Sequence, residues 1–376
     1  MKNKIKQIFI TFITAIMGGV IFSFLHIPVP WLLGPMIAVL IVANMAKHTF
    51  VWPRSIRNSG MIIVGYTIGL SMTTPALHEM VLQLPYMFMM TVFLLLFCAG
   101  IAFVASKLSE SDYRTLLLAS IPGGLSQIIM LAEETKGINL AIVTITQVIR
   151  LMIIIIVMPL LVLLPIFADS GAVANSTSTS VIPTLSTASW NLLFPNIIIF
   201  AVICILFALL GAKIKFPTAY LIGPAIGTAI LQAYGLHGPQ LPSTVINAAQ
   251  LMLGTHVGLM LTPNQIPRKI KTFSLAIGSG FMLVFGAIGL SVLLTKLQPV
   301  SNATALLSLA PGGMDQMGVI AHAIYADLSF VSGYQLFRTF FIFFAIPPLI
   351  RLIFNVADKR NARKQSEIYV KAGNRK

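Results

Sequence analysis

Ile121-Pro122-Gly123-Gly124-Leu125-Ser126-Gln127 and, 189 positions later, Ala310-Pro311-Gly312-Gly313-Met314-Asp315-Gln316 decide how this chain is read. Each motif interrupts an apolar run. Proline removes a backbone donor and glycine admits positive φ, so each motif breaks a helix and frees amides and carbonyls. Hydrocarbon cannot satisfy such groups; protein must cover them, or a water-filled cavity must bathe them. The surrounding sequence is membrane-like. The chain has 376 residues, 57% hydrophobic and only 9% charged, with a mean hydropathy of +0.91. Soluble domains carry about 25% charged residues. The composition excludes a soluble enzyme, a disordered chain and a disulfide-rich secreted domain.

Outward from the two motifs, the match continues in register. Pro28, Gly34 and Pro35 recur as Pro217, Gly223 and Pro224; Gly65 and Gly69 recur as Gly254 and Gly258; Thr73 recurs as Thr262, and Gln127 as Gln316. Gln147 and Arg150 recur as Gln335 and Arg338 at an offset of 188, one residue having been lost. Such register over so long a stretch marks an internal duplication. The chain divides into a first membrane repeat (1–166), a Ser/Thr-rich extracytoplasmic linker (167–194), a second membrane repeat (195–357) and a basic cytoplasmic tail (358–376).

A span needs about 20 apolar residues. Twelve segments compete: 7–25, 31–46, 58–73, 80–106, 113–132, 139–166, 195–212, 217–235, 244–262, 273–295, 303–323 and 328–357. The positive-inside rule chooses among the arrangements. With the N-terminus inside and each Pro-Gly-Gly segment entering and leaving on one side, every Lys and Arg falls inside except Lys296, Arg150 and Arg338. Twelve crossings would strand Lys213, Lys215, Arg268, Lys269 and Lys271 outside. The expected fold is an all-α polytopic membrane protein: two inverted repeats of about five transmembrane helices, with broken or re-entrant Pro-Gly-Gly segments. The competitors for the segment that does not cross are 58–73 and 244–262.

Inverted repeats with broken helices characterise secondary transporters, whose sites lie near the midplane. The expected solute and ion site is Pro122, Gly123, Gly124, Ser126 and Gln127 with Pro311, Gly312, Gly313, Asp315 and Gln316. A carboxylate inside the membrane is costly and faces a cavity or a partner. Asp315, whose mate is Ser126, is read as the place where a proton or sodium ion couples; a structural pair with an arginine is the plainer reading. Gln147 and Arg150, like Gln335 and Arg338, stand three apart on one helix face. Guanidinium forks bind carboxylates, so these residues either meet an anionic solute or orient the broken segments; an ion pair with Asp315 is again the plainer use. The Gly-xxx-Gly pairs read as helix packing, and Cys98 and Cys204 as small buried residues.

The six histidines (26, 48, 78, 237, 256 and 322) make no metal-ligand spacing, and no Walker A, Rossmann or Gly-x-Ser-x-Gly pattern occurs. No metal, no cofactor and no enzyme activity is expected. The tail suits anionic headgroups rather than nucleic acid.

Pro-Trp-Leu-Leu-Gly-Pro-Met at 30–36, with the two Pro-Gly-Gly stretches at 121–127 and 310–316, resembles the duplicated AbrB family of bacterial membrane proteins. The likeness covers nearly the whole chain. Members carry inherited labels of ammonia monooxygenase and of regulator, so the resemblance implies a bacterial cytoplasmic-membrane protein linked to regulation of gene expression. The organisation is similar to that of inverted five-helix secondary transporters, by analogy only. The expectation is a multi-pass transporter of a small anionic solute, with both termini cytoplasmic. Its partners are the lipid bilayer, the solute and H+ or Na+, not nucleic acid; a homo-oligomer is left open. The alternative is a membrane-embedded sensor of gene expression that moves nothing; a membrane oxidase comes third.

Overall fold

The computed structural model describes residues 2–27, 29–45, 50–109, 111–122, 128, 131–132, 135, 137–162, 164, 167, 196–214, 216, 218–260 and 270–373. Most of the 167–194 linker lies outside them, as do Lys47, Lys136, Lys215, Arg268 and Lys269. Helices make up the described chain, and no strand occurs among the described residues. In order they are α1 (Lys2–Phe24), α2 (Pro30–Met45), α3 (Arg54–Ser71), α4 (Thr74–Leu108), α5 (Tyr113–Ser120) and α6 (Leu140–Val162). There follow α7 (Asn196–Lys213), α8 (Ala219–Ala233), α9 (Ser243–Gly258), α10 (Ile270–Leu297), α11 (Asn302–Leu309), α12 (Met314–Ala323) and α13 (Leu328–Gly373).

Six of these helices are long and apolar enough to cross a membrane: the apolar parts of α1, α4, α6, α7, α10 and α13. The apolar α2 and α8 are shorter. Large apolar side chains exposed on α1, α4, α7 and α10, such as Phe9, Phe88, Val202 and Phe285, suit a lipid surround. On α3 and α9 no large apolar side chain is exposed. Those two helices are therefore the inner ones, less apolar because protein rather than lipid surrounds them. This is a polytopic helical membrane protein.

The helix starts at 30, 54 and 113 recur at 219, 243 and 302, offset by 189; the start at 140 recurs at 328, offset by 188. The packing recurs with the halves exchanged. Gly65 and Gly69 of α3 press on Leu221 and Ala225 of α8, while Gly254 and Gly258 of α9 press on Leu32 and Met36 of α2. A Cβ at any of the four would strike the neighbouring backbone, so the glycines allow the close approach that membrane helices use in place of hydrophobic driving force. Both pairs rise together in sequence, which makes α3 parallel to α8 and α9 parallel to α2.

The counterparts α4 and α10 run antiparallel. Met87 and Met90 cluster with Leu294, Gly286 lies on the Phe97 ring, and Ala105 shares a small cavity with Leu275 and Ala276. α5 packs at the end of α4, with Ala102, Ala105 and Leu116 in one cluster. α11 packs at the end of α10, with Leu294 and Ala305 in another. The short helices α5 and α11 thus pack at opposite ends of the α4–α10 pair.

Segment 303–323, read as interrupted at its Pro-Gly-Gly, is two short helices, α11 and α12, around the break. The last helix, α13, continues to Gly373. Nothing from 349 to 372 interrupts a helix, since neither proline nor glycine occurs there.

Candidate functional site

The segment α11–break–α12 is a re-entrant hairpin. Ser301 caps α11 by accepting from the Thr304 amide over 3.1 Å. The chain breaks at Pro311-Gly312-Gly313, and α12 runs back. After α12 the Asp327 amide donates to Thr304 Oγ1 over 3.2 Å, so the chain returns to the level where the hairpin began. Asp327 then caps α13 through the Phe330 amide, 3.0 Å away. The first half has the same clasp: the Asn139 amide donates to Thr115 Oγ1 over 3.2 Å. Asn139 Oδ1 then accepts from the Ile142 amide in the first turn of α6, over 3.3 Å. The clasps belong to no named motif. Their sign in the sequence is that Thr115 and Thr304 match at the 189 offset.

The Gln–Arg pairs hold the broken ends. Arg150, 3% exposed, donates from Nη1 to the Ala119, Ser120 and Ile121 carbonyls at 3.4, 3.2 and 3.0 Å. Its Nη2 donates to Gln147 Oε1 at 2.5 Å, and Gln147 Nε2 reaches the Leu118 and Ile121 carbonyls. Arg338 repeats the arrangement, with Nη1 to the Leu309 and Ala310 carbonyls and Nη2 to Gly312 O at 3.1 Å and to Gln335 Oε1. Gln335 Nε2 donates to the Leu307, Ser308 and Ala310 carbonyls. The last carbonyls of a helix lack intrahelical donors and carry partial negative charge. Each arginine supplies both the donors and the opposite charge, in a place where unpartnered carbonyls would cost about 1–3 kcal/mol each. The two guanidiniums lie close enough to repel each other, with Cys98 of α4 near both. Both broken ends therefore converge on the α4–α10 crossing.

Beyond the break, Asp315 and Gln316 stand in the first turn of α12. Both are buried, Asp315 at 9% exposure and Gln316 at 4%. Gln316 Nε2 donates to Asp315 Oδ2 over 2.8 Å. The carboxylate also accepts from the Asp315 and Gln316 amides, at the helix end that favours an anion. Among the described residues neither arginine pairs with Asp315; the guanidinium donors go to carbonyls and glutamines. The charge whose field reaches it is Arg57 of α3, which also acts on His256 of α9. Nothing in the Pro-Gly-Gly pattern points to Arg57.

Gly313 corrects one expectation. Its φ of −78° and ψ of 146° are open to any residue. What surrounds it is side chain: a Cβ there would meet Asp315 Oδ1 and Gln316 Oε1, the movable ends of two side chains. Gly312 lies on Ile154 of α6 and Met317. Pro122 and Pro311 are buried. Gly123, Gly124, Ser126 and Gln127 lie outside the described residues. Cys98 and Cys204 are buried free thiols, and no metal-binding group of His, Cys, Asp or Glu occurs among the described residues.

Two short helices, α5 and α11, each ending at a buried arginine that takes its last carbonyls, and the break between α11 and α12 place the chain among polytopic membrane proteins built around broken helices. The family is also identified: residues 31–354 match the AbrB model, described as transition state regulatory protein AbrB, and the chain belongs to that family. It is 25% identical to a Bacillus subtilis (strain 168) protein named "Uncharacterized protein YhjN", over 97% of each chain. It is 25% identical to "Putative regulator AbrB" of Escherichia coli (strain K12), over 91% of this chain and 94% of that one.

Proposed function

We propose that the protein is a secondary transporter of a small anionic solute in the bacterial cytoplasmic membrane, coupled to H+ or Na+ at Asp315. In this reading the halves are duplicated units of five crossings each, inserted in opposite senses, with both termini cytoplasmic. The recurrence of helix starts and the antiparallel course of the counterparts α4 and α10 support that reading. The observation that carries the function is the buried acid Asp315, placed at a break whose carbonyl end is neutralised by Arg338. Broken helices at the meeting of inverted halves serve such proteins as the place where solute and ion bind. With their donors committed to carbonyls, Arg150 and Arg338 orient the breaks and set a positive field there. An anion is drawn by that field and by amides freed at the tips.

The test is flux. Purified protein in proteoliposomes, given a panel of small radiolabelled carboxylates and an imposed ion gradient, takes up at least one of them. Asp315→Asn inserts normally and loses the response to the gradient. Absence of uptake and exchange over the panel counts against transport. The description of the matching family and the name of the Escherichia coli relative favour a second reading, a membrane-embedded regulator that binds without moving its ligand. Saturable binding without flux, with altered transcription on deletion, would decide for it.

A further inference from the structure

We infer that the ion handled at Asp315 is a proton, held by a carboxyl–amide pair with Gln316; the inference rests on the reading of Asp315 as the coupling residue. Gln316 Nε2 donates to Asp315 Oδ2 over 2.8 Å. That bond fixes the amide, because turning it over would set two oxygens against each other. Oε1 of Gln316 is therefore assigned; it is buried and, among the described residues, has no hydrogen-bond partner. Asp315 Oδ1 and Gln316 Oε1 both lie where a Gly313 Cβ would stand, so the two oxygens occupy one small space beside that residue. Two acceptors gathered there lack a hydrogen between them.

A proton on Oδ1 supplies it. Oδ1–H then donates to Gln316 Oε1 while Nε2 still donates to Oδ2, and the pair closes into a ring of two opposed hydrogen bonds. In the charged state the carboxylate keeps Nε2 and the first-turn amides of Asp315 and Gln316. The carboxyl is partnered in both states. What changes is one proton exchanged with water and one unit of buried charge. A hard metal cation asks for about six oxygens, and Gly312 O, beside the pair in sequence, is already taken by Arg338. Around the pair, α3 brings Arg57, and the charge within 328–350 of α13 is Arg338. α11 has no titratable residue, and His322 is two turns along α12.

The experiment is infrared difference spectroscopy of the whole protein in liposomes, with no solute, titrated with acid at constant ionic strength. A buried carboxyl C=O band rises on acidification and is absent in Asp315→Asn. In Gln316→Met the band moves to the frequency of a free carboxyl and proton binding weakens about tenfold, the loss of one buried hydrogen bond. Gln316→Asn, whose shorter amide cannot close the ring, shows the same shift and serves if the Met variant does not fold. Sodium at fixed pH leaves the band unchanged. Erasure of the band by sodium, or a band that survives in Asp315→Asn, overturns the proposal. The spectra need no transport: a titrating pair without flux would sink the transporter reading and keep the proton site, and flux without a titrating pair would do the reverse.

Discussion

The two broken segments are held by the same scaffold and differ in the residues that follow the break. In both, a Gln–Arg pair from the following long helix grips the carbonyl end of the first short helix, and a threonine near its start clasps the returning chain. Past the break the first has Ser126 and the second Asp315. What is duplicated is the means of holding a broken helix inside a membrane. What is not repeated is the acid next to the break. The arginines belong to the shared part, which explains why they turn to carbonyls and leave Asp315 to Gln316.

If the arginines are structural in both halves, Arg150→Ala and Arg338→Ala should be equally damaging. Each exposes several buried carbonyls, at a cost of about 3 kcal/mol or more, seen as loss of the monodisperse folded protein in detergent. Lysine does not rescue, because a point charge cannot fork across carbonyls. Next come Gly65→Val and Gly254→Val. Both push a helix off a backbone it touches, for about 2 kcal/mol each by thermal unfolding; unequal values would show that the α3–α8 and α9–α2 contacts differ in weight. Asp315→Ser, which gives the second hairpin the first one's residue, should leave thermal stability within about 1 kcal/mol of the parent or raise it, since a buried charge is removed, while gradient-driven uptake disappears. Ser126→Ala, by contrast, should reduce uptake by less than about tenfold, a single neutral hydrogen bond at most. The smallest effect is expected at the clasps: Thr115→Val and Thr304→Val each cost about 1 kcal/mol, read by hydrogen exchange at the Asn139 and Asp327 amides.

Much of the fold was legible because membranes restrict the options. Composition alone required helices, and the Pro-Gly-Gly pattern called for a broken segment, which α11 and α12 form, with the Thr304–Asp327 clasp closing it. The Gly-xxx-Gly spacing pointed to close packing, and Gly65 and Gly254 do lie on backbone. Less of the site could be read. Sequence spacing places Gln335 and Arg338 on one face, yet it cannot say whether that face meets a solute, an acid or a carbonyl; this depends on where α11 ends beside α13. Nor does a Pro-Gly-Gly pattern reveal why Gly313 is glycine. Its backbone is ordinary, and what stands beside it is set by the two side chains that fold back from Asp315 and Gln316. Arg57 was out of reach for the same cause: it comes from α3 of the first half, a helix that only the folded packing brings near α12.

The most direct check is the sidedness of the two hairpin mouths. Asp112, just before α5, and Lys296, near the end of α10, are exposed. Single Asp112→Cys and Lys296→Cys variants in intact cells, treated with a membrane-impermeant maleimide, should divide: Lys296→Cys reacts from outside, and Asp112→Cys reacts only once the membrane is opened. Reaction of both from the same face would mean that the halves point the same way, and that the two hairpins do not meet across the bilayer.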